Sequence, residues 1–147
     1  MIKNKQYDKK ANFVDDIFAF YGIPILSQFS LISIITGESK WGPYKEGLNH
    51  IQVRLIGLFA LLICIIITYN VLIKWPKEFG GTQKVKVVMK EFFTSIFLLV
   101  WILLIIVSFI YEIYKSFYLK ILYFIMLGIC FYFQREFIKT EKRILDL

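Results

Sequence analysis

Charged residues are missing from the middle of the long apolar runs of this 147-residue chain. The run from Ile51 to Ile73 holds one charge, Arg54 near its start, and the run from Phe92 to Tyr114 holds Glu112 near its end. Carriers that move protons usually place a carboxylate or a histidine deep in the membrane, because that group must titrate during transport. The missing midplane charges therefore argue against a proton-coupled carrier.

The chain also has little of the chemistry on which enzymes and metal sites depend. Its two cysteines, Cys64 and Cys130, both fall inside apolar runs, where a thiol acts as a small hydrophobe and not as part of a disulfide framework. One histidine, His50, does not make a zinc site without further ligands close by. No nucleophile elbow, phosphate-binding loop, zinc-protease motif or spaced aspartate pair occurs in the sequence. We expect no catalytic residues, no metal and no cofactor.

Apolar side chains are what the sequence has in abundance. They make up 58% of the residues and give a mean hydropathy of +0.63. A soluble chain of this length has too little interior to hide so much apolar surface, whereas lipid solvates it directly. A helix needs about 20 apolar residues to cross the hydrocarbon core. The sequence therefore predicts an all-α integral membrane protein with a four-helix transmembrane bundle.

The whole chain, residues 1–147, is predicted to form a single membrane domain. The crossing segments are 17–36, 51–73, 92–114 and 117–134, and the first is weaker because Pro24 kinks it and its serines are polar. A re-entrant or interfacial path for 17–36 stays open. Residues 1–16 form the N-terminus, 74–91 a basic loop in which Trp75-Pro76 breaks the preceding helix and Gly80-Gly81 turn the chain, and 135–147 the C-terminal tail.

The distribution of basic residues predicts that both termini are cytoplasmic. With four crossings, 13 of the 18 Lys and Arg residues lie inside and 5 outside, whereas without the first crossing the count is 9 against 9. The positive-inside rule favours the first arrangement, in the cell (inner) membrane.

Because only Lys115 and Ser116 separate the last two crossings, helices three and four are predicted to form a tight antiparallel hairpin. Phe137, Ile138, Ile144 and Leu145 form one stripe of the amphipathic tail, which is predicted to lie on the membrane or, alternatively, against a partner.

Small and polar residues predict where the helices pack, because helices in lipid associate through close approach and hydrogen bonds. The predicted packing faces contain Ala19, Gly22, Ser30, Ser33, Gly57, Cys64, Thr68 and Gly128. A second predicted site is an outer polar cluster of His50, Arg54, Glu112 and Lys115, in which Arg54 and Glu112 pair if their helices are neighbours; snorkelling to the headgroups is the alternative. Lys84, Lys86 and Lys90 are predicted to contact anionic lipid headgroups.

These patterns favour a non-catalytic membrane protein that works by binding another membrane component, either another membrane protein or a second copy of itself. It is an accessory or assembly subunit in this interpretation, or it resembles, in size and architecture alone, the immunity proteins that protect bacteria from pore-forming toxins. The alternative is a homo-oligomeric pore or small transporter subunit lined by Ser27, Gln28, Ser30, Ser33, Thr94, Ser95 and Ser108. The net charge of +7 comes from residues at the ends of apolar segments, so nucleic acid is not expected as a partner.

Overall fold

A computed structural model describes residues 22–38 and 48–145, and every regular element within these two ranges is helical. Residues 1–16, the first part of segment 17–36 and the last two residues of the tail lie outside the described ranges. The helices are α1 (Gly22–Thr36), α2 (His50–Tyr69), a π-helical segment (Asn70–Lys74), α3 (Trp75–Thr94), α4 (Ile96–Tyr114) and α5 (Phe117–Ile144).

Three helical stretches are long and apolar enough to cross a membrane: His50–Thr94 with 45 residues, Ile96–Tyr114 with 19 and Phe117–Ile144 with 28. The 15 residues of α1 are apolar but fewer. At 1.5 Å per residue they extend about 22 Å, less than the roughly 30 Å of hydrocarbon in a bilayer. The crossing of segment 17–36, the kink at Pro24 and the side on which each terminus lies remain predictions, since Pro24 occupies the first described turn.

The predicted helix break at Trp75-Pro76 is wrong, and the segment 74–91 is helical where a loop was expected. Proline has no N–H for the carbonyl four residues earlier, and its ring crowds that carbonyl. A wider π-helical turn just before Pro76 accommodates the proline, and in this turn the Trp75 N–H donates to the Asn70 carbonyl. Pro76 then lies at the start of α3, where its missing N–H costs little.

The chain changes direction within this long helical stretch at Gly81. Its φ of 75° and ψ of −175° are non-helical and lie in a region that is essentially restricted to glycine. The predicted turn at Gly80-Gly81 is thus present as a kink at Gly81. A second interruption comes at Ser95, whose extended backbone ends α3 and whose Oγ accepts from the Leu98 N–H at 3.2 Å. As a result, Phe92 and its two successors belong to α3 and not to the following crossing.

Helices α4 and α5 pack along each other and are joined by two residues, so they form an antiparallel hairpin. Lys115 makes the reversal possible, because it adopts a left-handed conformation (φ 49°, ψ 32°) and its N–H donates to the Tyr111 carbonyl at 2.7 Å. Helix α1 packs on α2 and also contacts α4 and α5.

The C-terminal tail packs against the chain itself, which corrects both alternatives considered from the sequence. Helix α5 continues unbroken to Ile144, and Phe137, Ile138 and Leu145 are buried. The rings of Phe137 and Phe92 lie 5.6 Å apart, edge to face, which joins the tail to α3. The apolar stripe therefore forms part of the core and is not left for a membrane surface or a partner.

Candidate functional site

The contact between α1 and α2 depends on the small residues that the sequence singles out. Ser30 and Ser33 are buried, and a Cβ added to Gly57 would lie 2.9 Å from the Ser30 carbonyl oxygen and 3.0 Å from the Ser33 Cβ. No side chain larger than hydrogen fits at position 57 without a shift of one backbone against the other. The structure therefore brings Ser30, Ser33 and Gly57 into one close-packed contact.

The other predicted packing residues have more varied surroundings. Cys64 is buried, Gly22 is half-buried, and the half-buried Thr68 donates its hydroxyl to the Cys64 carbonyl at 2.8 Å within α2. Gly128 is exposed, and a Cβ there would meet nothing within 4 Å in the described part of the chain, so it makes no close helix contact there. Ala19 lies outside the described ranges.

The polar side chains of α1 are turned into the molecule. Ser27 Oγ donates to the Pro24 carbonyl at 3.1 Å and accepts from Trp101 Nε1 at 3.0 Å, which ties α1 to α4. Gln28 Nε2 donates to the same Pro24 carbonyl at 2.8 Å, and Ser108 Oγ donates to the Ile105 carbonyl at 2.7 Å. Ser27, Gln28, Ser30, Ser33 and Ser108 are all buried. Of the remaining residues predicted to line a pore, Ser95 caps α4 and Thr94 is exposed at the end of α3.

Two residues of the predicted outer polar cluster, His50 and Arg54, meet at the C-terminal end of α1. His50 Nδ1 lies 2.9 Å from the Gly37 carbonyl oxygen, and Arg54 Nε is close to the same glycine. Gly37 directly follows α1 and has a φ of 66°. Basic groups suit this position because the C-terminal end of a helix carries partial negative charge. Glu112 instead lines a cavity between α1, α4 and α5, and Lys115 occupies the α4–α5 link. No Arg54–Glu112 ion pair joins these two described residues.

Lys84 does not share the exposed position of the two other lysines predicted to contact headgroups. It is half-buried, and its Nζ donates to the Ile144 carbonyl at 2.5 Å, so it caps the C-terminal end of α5. Lys86 and Lys90 are exposed. Headgroup contact therefore stays a prediction for those two residues.

A cavity of about 180 Å³ lies between α1, α4 and α5 and is named the polar cavity after the polar side chains in its lining. Its walls are mainly apolar, but Gln28, Ser108, Glu112 and Tyr123 also line it. Gln28 Oε1 is buried and has no hydrogen-bond partner in the described part of the chain. The sequence did not predict this cavity, because its polar residues come from three helices whose relative rotation no local pattern reveals.

A lateral groove, whose lining includes Ser27, Cys64 and Thr68, lies between α1, α2, the π-helical segment, α3 and α4. Its volume is about 450 Å³, and its apolar walls include Leu61 and Ile65. Within residues 22–38 and 48–145, no group of three or more His, Cys, Asp and Glu side chains is placed to hold a metal ion.

A buried carboxyl lies in the tail, beyond Arg135 and outside the apolar part of α5. Glu141 is fully buried, and neither of its carboxyl oxygens has a hydrogen-bond partner among the described residues. Desolvation raises the pKa of Glu141 to about 8, although the nearby charge of Lys142 acts in the opposite direction. This carboxyl was not predicted from the sequence.

Comparison with known proteins gives no family for this chain: no family model, no curated protein and no solved structure matches it.

Proposed function

We propose that this chain is a non-catalytic, multi-pass membrane protein that acts by binding another membrane component, a protein with a transmembrane helix. It would act as an accessory or assembly subunit, or as an immunity-type protein against a pore-forming toxin. The observation that carries the proposal is the lateral groove. Its lining is almost wholly apolar and includes the small side chains of Ser27, Cys64 and Thr68, and a transmembrane helix needs small residues for close approach.

The large share of apolar surface left uncovered supports the same proposal. In the three helical stretches long enough to cross a membrane, only 28%, 22% and 17% of the most apolar window is buried inside the molecule. Lipid solvates such surface without cost, so exposure alone does not identify a partner. A groove with small side chains in its lining differs from a convex apolar face because it lets a second helix approach closely.

The alternative, a homo-oligomeric pore or small transporter subunit, is supported less well. Its expected lining residues on α1 are buried and bonded within the chain, as with Ser27 to Trp101. An oligomeric pore would need those groups on an outward face.

Adjacent isoleucines of α2 provide a matched test. Ile65 is 56% exposed and lines the groove, whereas Ile66 is 57% exposed and does not line it. A photoreactive amino acid at position 65, activated in native membranes, is expected to give a discrete cross-linked product that is absent for position 66. Ile65→Trp, which fills the groove, should abolish copurification of the cross-linked protein in mild detergent, while Ile66→Trp should preserve it.

The mass of the cross-linked product distinguishes the two hypotheses. A product at twice 17.5 kDa would indicate a second copy of the chain and favour the oligomeric alternative. No discrete product at position 65, together with a monomer free of copurifying protein, would contradict the proposal.

A further inference from the structure

We propose that the polar cavity between α1, α4 and α5 is a binding site for a ring-sized apolar molecule that carries one hydroxyl group, an alcohol or phenol. This site is separate from the lateral groove, and the proposal does not rest on the proposed function. The size of the cavity, its apolar walls and the buried acceptor at Gln28 support the proposal.

The size of the cavity sets the size of the ligand. At about 180 Å³ the cavity is larger than the roughly 150 Å³ apolar cavity that is known to accept benzene in an engineered protein. A single six-membered ring with a small substituent therefore fits. A complete lipid or a peptide does not.

The walls require that most of the ligand is apolar. Ile25, Leu26, Phe29 and Ile32 of α1 form one side, and the polar groups Ser108, Glu112 and Tyr123 of α4 and α5 lie among the remaining lining residues. A ring gains dispersion contacts with such walls. A molecule with several polar groups would leave some of them unpaired and would be rejected.

Gln28 explains why the ligand should carry a hydrogen-bond donor. The side chain is 3% exposed and is held in place by the bond from its Nε2 to the Pro24 carbonyl at 2.8 Å. That bond leaves Oε1 as a fixed acceptor, and it has no partner in the described part of the chain. A buried acceptor without a partner is costly, so a hydroxyl donor bound beside it restores a missing hydrogen bond. The other buried glutamine with an unpartnered Oε1, Gln134, lines a cavity of only about 20 Å³, which is too small for a ring.

Phenol and toluene are matched probes, because they share the ring and differ by a hydroxyl in place of a methyl group. The full chain, labelled at isoleucine methyl groups, would be titrated with each probe in lipid nanodiscs. Phenol should shift the Ile32 methyl resonance saturably while leaving Ile23, buried and outside this cavity, unchanged. Toluene, at equal concentration in the membrane, should bind about tenfold more weakly, since it leaves Oε1 unpaired.

Two glutamine variants test the role of the acceptor. Gln28→Leu should remove the preference for phenol over toluene, whereas Gln134→Leu should keep it. The proposal is overturned if phenol gives no saturable shift, if toluene binds as tightly as phenol, or if Gln28→Leu retains the preference. Should Gln28→Leu fail to fold, the comparison of the two probes on the unmodified chain still decides whether a donor is recognised.

Discussion

Gly57 has no Cβ, and the backbone of α1 lies where a Cβ would point. Gly57→Ala should lower the free energy of unfolding by about 1 kcal/mol, because overpacking against the Ser30 carbonyl outweighs the gain in helix propensity. Gly128→Ala is the control. Nothing in the described chain opposes its Cβ, so it should leave stability unchanged or raise it. Denaturation in mixed micelles measures both, and equal effects would show that α1 and α2 do not approach each other as described.

Glu141 gives the stability of the protein a pH dependence of definite sign. The pKa of this carboxyl rises from the ordinary 4.5 to about 8 on folding, because burial penalises its charged form. The unfolded chain therefore releases this proton first. Between about pH 4.5 and 8 the free energy of unfolding should fall by at most roughly 1.4 kcal/mol per pH unit, and it should level off above that range.

Glu141→Gln should remove this slope and stabilise the protein at alkaline pH. Glu136→Gln is the matched control. Glu136 lies about one and a half turns earlier on α5, and its accessible carboxylate pairs with Lys139 at 2.6 Å. Unfolding curves recorded from pH 5 to 9 measure the difference. A slope that survives in Glu141→Gln would show that another group is responsible.

At the scale of the elements, the kink at Gly81 changes the direction of the chain within α3, before the chain enters α4. Gly81→Ala places a Cβ on a backbone with φ of 75° and ψ of −175°, so it should cost more than about 1 kcal/mol even though the space around it is open. A D-alanine introduced there by semisynthesis should be tolerated, because it favours positive φ. Thermal unfolding in detergent compares the two, and equal losses would mean that the strain is not conformational.

The element that the sequence describes least well is the segment 74–91. Its lysines, glycines and Trp75-Pro76 are typical of a loop, and by local preference that interpretation was reasonable. The structure is helical there because Val88 and Phe92 pack into a core shared with Phe97 and Phe137. Lys84 also gains a carbonyl partner at the end of α5. Both contacts join residues far apart in the sequence, which no local pattern predicts.

At the scale of the whole molecule, the orientation in the membrane is the prediction most open to a direct test. A reporter that is active only outside the cytoplasm should be active when fused after Tyr44 or Ser116 and inactive after Gly81 or Leu147, because the basic residues favour that arrangement. An inactive fusion after Tyr44 would show that segment 17–36 does not carry the chain out of the cytoplasm, and it would remove the first crossing. Activity after Gly81 would contradict the orientation altogether.

The helical character of the chain and its stretches able to cross a membrane were predictable, because length and apolar content are local properties that any window of the sequence reports. The sequence also indicated Ser30, Ser33 and Gly57 as contact residues, since small side chains at helical spacing are visible without knowledge of the partner helix. Tertiary packing, in contrast, places the tail on α3 and brings Gln28 and Glu112 into the lining of one cavity. Each of these depends on the rotation and order of neighbouring helices, which are set by packing between distant residues and not by the composition of any one segment.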